Sequence, residues 1–209
     1  KAKRAIYYGM VGMALAVLAT MFGPGAGALW IVVLMVVIGG AIGAVIASKV
    51  QMTQMPELVA GFHSLVGLAA VFIGFNADIE AARAAQAIAT NTLDELRGFA
   101  AALALKTPVE LSIMRVEIFL GVFIGAVTFT GSIVAYGKLA GKISSAALTI
   151  PYRHHINVLG VLICVVLGIL YFAGAGLWTM ILTAIIAGAI GWHLIMAIGG
   201  ADMPVVVSM

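Results

Sequence analysis

Charge is scarce in this chain. Only 9% of its 209 residues are Asp, Glu, Lys or Arg, against roughly 25% in an average soluble domain. Apolar residues make up 64%, and the mean hydropathy is +1.19. A soluble fold of this length has too much surface to hide that composition, so the solvent is a bilayer. Disorder and fibrous repeats are excluded on the same grounds. A single cysteine, Cys164, excludes an internal disulfide and any multi-thiolate metal centre. It lies in an apolar run and reads as a small buried hydrophobe. No P-loop, HExxH or paired-carboxylate motif is present. Gly23-Pro24-Gly25-Ala26-Gly27 does not make a dinucleotide fingerprint, because that motif needs a strand before the glycine turn.

The long apolar runs read as six membrane helices. They cover about residues 5–22, 28–47, 56–75, 116–136, 156–173 and 177–198, near the length of about 20 residues that a bilayer core requires. The runs are apolar all round rather than alternating, which argues for helices over a barrel. The expected fold is therefore all-α, a polytopic membrane bundle forming one transmembrane domain over 1–209. Its long connection, residues 76–115, has soluble-like composition. There Leu93, Leu96, Phe99, Ala100 and Leu103 recur at helical spacing around Asp94, Glu95 and Arg97, which predicts one amphipathic outer helix.

Basic residues alternate from side to side. Lys1, Lys3, Arg4, Lys49, Lys138, Lys142 and Arg153 fall on one side of six spans, seven of the 11 basic residues. The positive-inside rule makes that side cytoplasmic, with both chain ends on it. The net charge of +3 is thus a matter of topology and does not point to nucleic acid. The chain starts without Met and stops within an apolar stretch, so it reads as a piece of a longer polypeptide.

Ionisable groups within spans are expensive and are functional candidates by default. His63 lies seven residues after Pro56, about 10 Å into a core of about 30 Å. Ala60, Gly67, Ala70 and Gly74 share its face, so the imidazole is expected to point into the bundle, where small residues admit a close neighbour. Imidazole also exchanges protons readily near cellular pH. Glu117 opens a stripe through Gly121, Gly125, Thr128 and Ser132, a face able to hold waters in file. Glu57 stands in the first turn of the third span, where a carboxylate suits the positive helix end. His193 and Asp202 lie near the cytoplasmic boundary, Asp202 in the helix-breaking run Gly199-Gly200-Ala201-Asp202-Met203-Pro204. His154 and His155 sit in a basic loop and read as solvated.

Several longer strings go further. They are Met52-Thr53-Gln54-Met55-Pro56-Glu57-Leu58-Val59-Ala60 with His63-Ser64-Leu65-Val66-Gly67, then Glu117 to Gly121, Gly125 to Ser132, Gly137-Lys138-Leu139 and Gly141 to Ser145. The last is Gly191-Trp192-His193 with Gly199 to Met209. Together the chain resembles the beta subunit of proton-translocating NAD(P) transhydrogenase, everywhere except about 77–113, where the outer loop is longer than that family leads one to expect. The resemblance implies the membrane part of an enzyme that transfers a hydride between NADH and NADP, coupled to proton passage. NAD(H) and NADP(H) then bind partner domains, and this chain binds no cofactor of its own. The implied partners are the lipid bilayer, alpha-subunit membrane helices with an NAD(H) domain, and the NADP(H) domain of the beta subunit, in a dimer of complexes in a bacterial-type inner membrane. The resemblance maps a proton path onto His63 and Ser132, to which the stripe adds Thr128 and Glu117, and a coupling face onto Asp202, joined by His193 and Glu57. Two other classes compete: a proton-coupled secondary transporter or channel, and a structural membrane anchor.

Overall fold

The computed structural model describes residues 2–23 and 29–199. Those residues form seven α-helices and no strand. They are α1 (Ala2–Met21), α2 (Leu29–Lys49), α3 (Met55–Thr90), α4 (Gly98–Ala104), α5 (Pro108–Leu139), α6 (Arg153–Phe172) and α7 (Leu177–Met196). Helices α2, α3, α5, α6 and α7 are long and apolar enough to cross a membrane. The first expected span corresponds to α1, whose apolar stretch, Ala5–Met21, is shorter than the other five.

The helices depart from expectation in the long connection. Helix α3 does not end near residue 75 but runs on to Thr90. Residues 77–90 contain no Gly or Pro and many Ala, the strongest helix former. Arg83 Nη1 donates to Glu80 Oε1 at 2.7 Å, a pair one turn apart. The helix stops where Asn91 adopts φ +58°. The expected amphipathic helix over 93–103 splits into a 3-10 turn, Leu93–Glu95, and the short α4. Leu96 is extended between them, and Gly98 takes φ +59°. Helix α4 keeps part of the expected apolar face, burying Ala100 and Leu103. Helix α5 starts at Pro108, eight residues before the expected span. Proline is favoured in a first helical turn, and Glu110 there suits the positive end.

The chain divides into two compact units, Lys1–Lys49 with Glu80–Thr107, and Val50–Ile79 with Pro108–Met209. The second unit holds most of the candidate residues. Within it α5 packs along α7, and α7 along α6. Small residues let the backbones touch. A Cβ on Gly67 would stand 2.6 Å from the Phe129 nitrogen, and one on Gly125 would stand 2.8 Å from the Gly67 oxygen, so α3 and α5 meet backbone to backbone. On the other side of α5, a Cβ on Gly191 of α7 would run into the Val127 carbonyl oxygen. Thr130 Oγ1 donates to the Gly188 oxygen at 2.7 Å across the same contact. Without a hydrophobic drive between helices in lipid, such packing and hydrogen bonding hold a bundle together. Gly191→Ala is therefore expected to destabilise the unit by about 1–3 kcal/mol through overpacking. Thermal unfolding in detergent measures this, and an unchanged midpoint would contradict the close approach of α5 and α7.

Candidate functional site

One cavity, of about 180 Å³, is lined by His63 of α3, by Thr128, Gly131 and Ser132 of α5, and by Gly191, Leu194 and Ile195 of α7. Each helix reaches it for a local reason. Thr128 and Ser132 are four residues apart and so share a face of α5. Gly125, one turn earlier, lets α3 come close enough to bring His63 to that face. Gly131 admits α7, where Ile195 Cγ1 lies 3.1 Å from the place a Gly131 Cβ would take. The result is an imidazole and two hydroxyls around a space roomy enough for water, whose share of liquid volume is about 30 Å³. Thr128 and Ser132 are half-buried. Such a set can accept, hold and release a proton, with the hydroxyls relaying and the imidazole carrying charge.

The imidazole does not point into the packed interior, as its neighbours suggested. His63 is exposed on this chain's surface, while Ala60, Ser64, Gly67 and Gly74 form the buried stripe beside it. The close approach of α3 to α5 is at Gly67, so exposed His63 falls at the edge of the contact.

The expected file along α5 is shorter than its sequence pattern. At Gly125 the stripe is filled by the α3 backbone. Glu117, eleven residues before Thr128, is exposed and does not line the cavity. That distance is about 16 Å along the helix. Glu57 is half-buried in the first turn of α3, also outside the cavity lining. His193 is buried in α7, 6% exposed, with its Nδ1 2.7 Å from Asn157 Oδ1. Asp202 lies outside the described residues.

Two polar clusters stand where the sequence suggested only loop charge or apolar helix. By its place near a span end Lys138 reads as a loop cation, yet the residue is 2% exposed. Its ammonium donates to the carbonyl oxygens of Ile195, Met196 and Ile198 at 3.3, 2.9 and 2.7 Å. These lie at and just past the C-terminal end of α7, where carbonyls lack helical partners and a cation is favoured. The connection after α5 folds over the same end, with Leu148 N donating to the Met196 oxygen at 2.9 Å. The second cluster centres on Tyr171. Its hydroxyl donates to Asp78 Oδ1 at 2.6 Å. Arg115 Nη2 donates to the Tyr171 carbonyl oxygen at 2.8 Å, and the guanidinium lies 5.0 Å from the ring centroid. This joins α3, α5 and α6. The three residues are far apart in sequence, and no local pattern links them. Tyr171→Phe is expected to lower stability by about 1.5–3 kcal/mol, the range for a hydrogen bond to a charged group. Comparing melts of the variant and wild type in detergent checks it, and equal stability would show that Asp78 needs no donor there.

Of the strings that carry the resemblance, His63, Thr128, Gly131, Ser132 and Gly191 line one cavity. Two curated relatives from Rhodospirillum rubrum, both described as NAD(P) transhydrogenase subunit beta, are each 45% identical over 201 residues, 96% of this chain. The chain spans 39% of the length of each. A family model described as NAD(P) transhydrogenase beta subunit matches residues 1–209. With the whole sequence matched and the apolar helices to carry it, this multi-pass membrane chain belongs to the NAD(P) transhydrogenase beta subunit family.

Proposed function

We propose that this chain is the proton-conducting membrane domain of an NAD(P) transhydrogenase, coupling proton passage to hydride transfer between NADH and NADP in domains outside it. The observation that carries this reading is the cavity that gathers His63, Thr128 and Ser132 from two helices. The proton path runs through these three. His63 takes and releases the proton, and the two hydroxyls and intervening water relay it. Glu117 feeds this path from the other end of α5, through water outside the packed stripe. Glu57, His193 and Asp202 belong to the end of the domain that meets the soluble domains.

The coupling is a difference in binding. Protonation of His63 changes the relative stability of two arrangements of the domain, and the NADP(H)-binding domain has a different nucleotide affinity in each. Only such a differential interaction can shift the equilibrium, and in binding terms it acts equally in both directions. NAD(H) and NADP(H) are held by the partner domains. The partners are the alpha-subunit membrane helices with their NAD(H) domain, the NADP(H) domain of the beta subunit, and a second complex in a dimer. The setting is a bacterial-type inner membrane, with both ends of the chain on the cytoplasmic side, as the distribution of basic residues supports.

The test uses the intact complex in sealed vesicles. Hydride transfer from NADH to an NADP analogue is followed together with internal pH, for wild type and His63→Ala. Wild type is expected to move protons with hydride, and the variant to lose both. Hydride transfer in wild type without any pH change would overturn the reading.

A further inference from the structure

Helix α7 carries a second histidine that the His63 cavity does not use. His193 is more than nine-tenths buried. Its Nδ1 lies against Asn157 Oδ1 of α6. With that oxygen accepting, Nδ1 carries the proton and Nε2 presents a bare lone pair. Nε2 is buried and has no hydrogen-bond partner. Buried polar atoms are nearly always satisfied, so an exception asks for an explanation.

His193 lines a second cavity, of about 420 Å³, together with Arg153, His154 and Asn157 of α6. Leu194 and Ile195 line this cavity and also the one around His63. These two residues therefore border both histidine cavities, Ile195 half-buried and Leu194 exposed on the chain's surface. Ile195 is seated firmly, its side chain against Gly131 and its carbonyl oxygen on the Lys138 ammonium.

We propose that His193 is a second proton-accepting station, in series with His63, and that Leu194 and Ile195 are an apolar partition between the two. This rests on the proton-conducting reading and extends it. A proton leaves His63 for water in the first cavity, crosses when the partition moves, and binds the lone pair of His193 Nε2. The imidazolium keeps its Nδ1–H bond to Asn157, then gives the Nε2 proton to water on the side of Arg153 and His154, which restores the neutral ring. The groups facing His193 are Asn157, Arg153 and His154 from α6, with Lys138 of α5 and His63 of α3 beyond Ile195. Among the described residues that line the cavity none is a carboxylate. With no carboxylate among those lining residues to hold the proton, the station passes it on.

The experiment uses the intact complex in sealed vesicles with a pH dye inside. His193→Gln keeps an N–H donor for Asn157 but takes up no proton at cellular pH. It is expected to slow nucleotide-driven proton movement about 100-fold, the scale of losing a positioned proton-transfer group, and to change the pH profile of the rate. Ile195→Ala, measured without nucleotide, is expected to raise the passive proton leak about tenfold, since an apolar constriction holds back water. Wild-type pumping with a wild-type pH profile in His193→Gln overturns the inference, and so does an unchanged leak in Ile195→Ala. Should His193→Gln fail to assemble, the leak of Ile195→Ala decides. A wild-type complex that moves no protons overturns the proton-conducting reading itself, and the second station with it.

Discussion

His63→Ala in the intact complex is expected to cut proton-coupled hydride transfer by about 100-fold or more, the loss typical when one positioned proton-transfer group is removed. The size follows from what lines the cavity. His63 is the one titratable side chain among its described lining residues. Thr128 and Ser132 can pass a hydrogen bond along but do not hold a charge at cellular pH. Replacing either hydroxyl has a smaller expected effect, because a water can bridge the gap at little cost. Thr128→Val and Ser132→Ala should each slow coupled turnover by less than about tenfold, while the double variant should approach His63→Ala if the two act in one relay. Glu117→Gln tests the other end of α5. Its exposed position outside the cavity lining leads us to expect the weakest effect of the series. The measurement is the initial rate of hydride transfer and the accompanying pH change in sealed vesicles. A His63→Ala complex that couples like wild type would make the histidine structural and send the path elsewhere.

Lys138→Met is expected to destabilise the domain strongly, because it removes a buried charge. The ammonium satisfies three carbonyl oxygens at the end of α7 and approaches a fourth, that of Ala146, at 3.5 Å. Methionine matches the length and apolar stem of lysine but donates nothing. The carbonyls at Ile195, Met196 and Ile198 then lose their cation, at an expected loss of about 3 kcal/mol, the upper range for a bond to a charged group. The effect should reach function as well as stability. Ile195 walls the His63 cavity, and its carbonyl is one of the three that Lys138 holds. Lys138→Arg keeps the charge but brings a planar fork in place of a compact ammonium. It should restore only part of the loss. Thermal unfolding in detergent and coupled turnover in vesicles together check this. A Lys138→Met domain as stable and active as wild type would show that the α7 end closes without the cation.

Composition alone determined the class of this protein. A chain with so few charges and such long apolar runs has no stable arrangement in water, and its only economical backbone in lipid is helical. Sequence also picked out His63, Thr128 and Ser132, because a polar side chain in an apolar span stands out against its surroundings. It could not show how far each helix runs. Residues 77–90 look like a loop by polarity, but the Ala-rich stretch and the Glu80–Arg83 pair keep α3 helical to Thr90. Polarity reports on solvent, and helix extent depends on local backbone preference.

Other features were decided by tertiary contact. His63 sits at the edge of the α3–α5 contact because the close approach is at Gly67, with Ser64 buried and His63 exposed, and a helical face about 100° wide contains both His63 and Ser64. Lys138 reads as a loop cation by its place near a span end, and becomes a buried cap only because α7 ends beside it. Asp78, Arg115 and Tyr171 come from three helices and meet at one ring. Periodicity records which side of its own helix a residue occupies. Which neighbour lies across from it is set by where backbones can approach, and here that is decided by the glycines at 67, 125, 131 and 191.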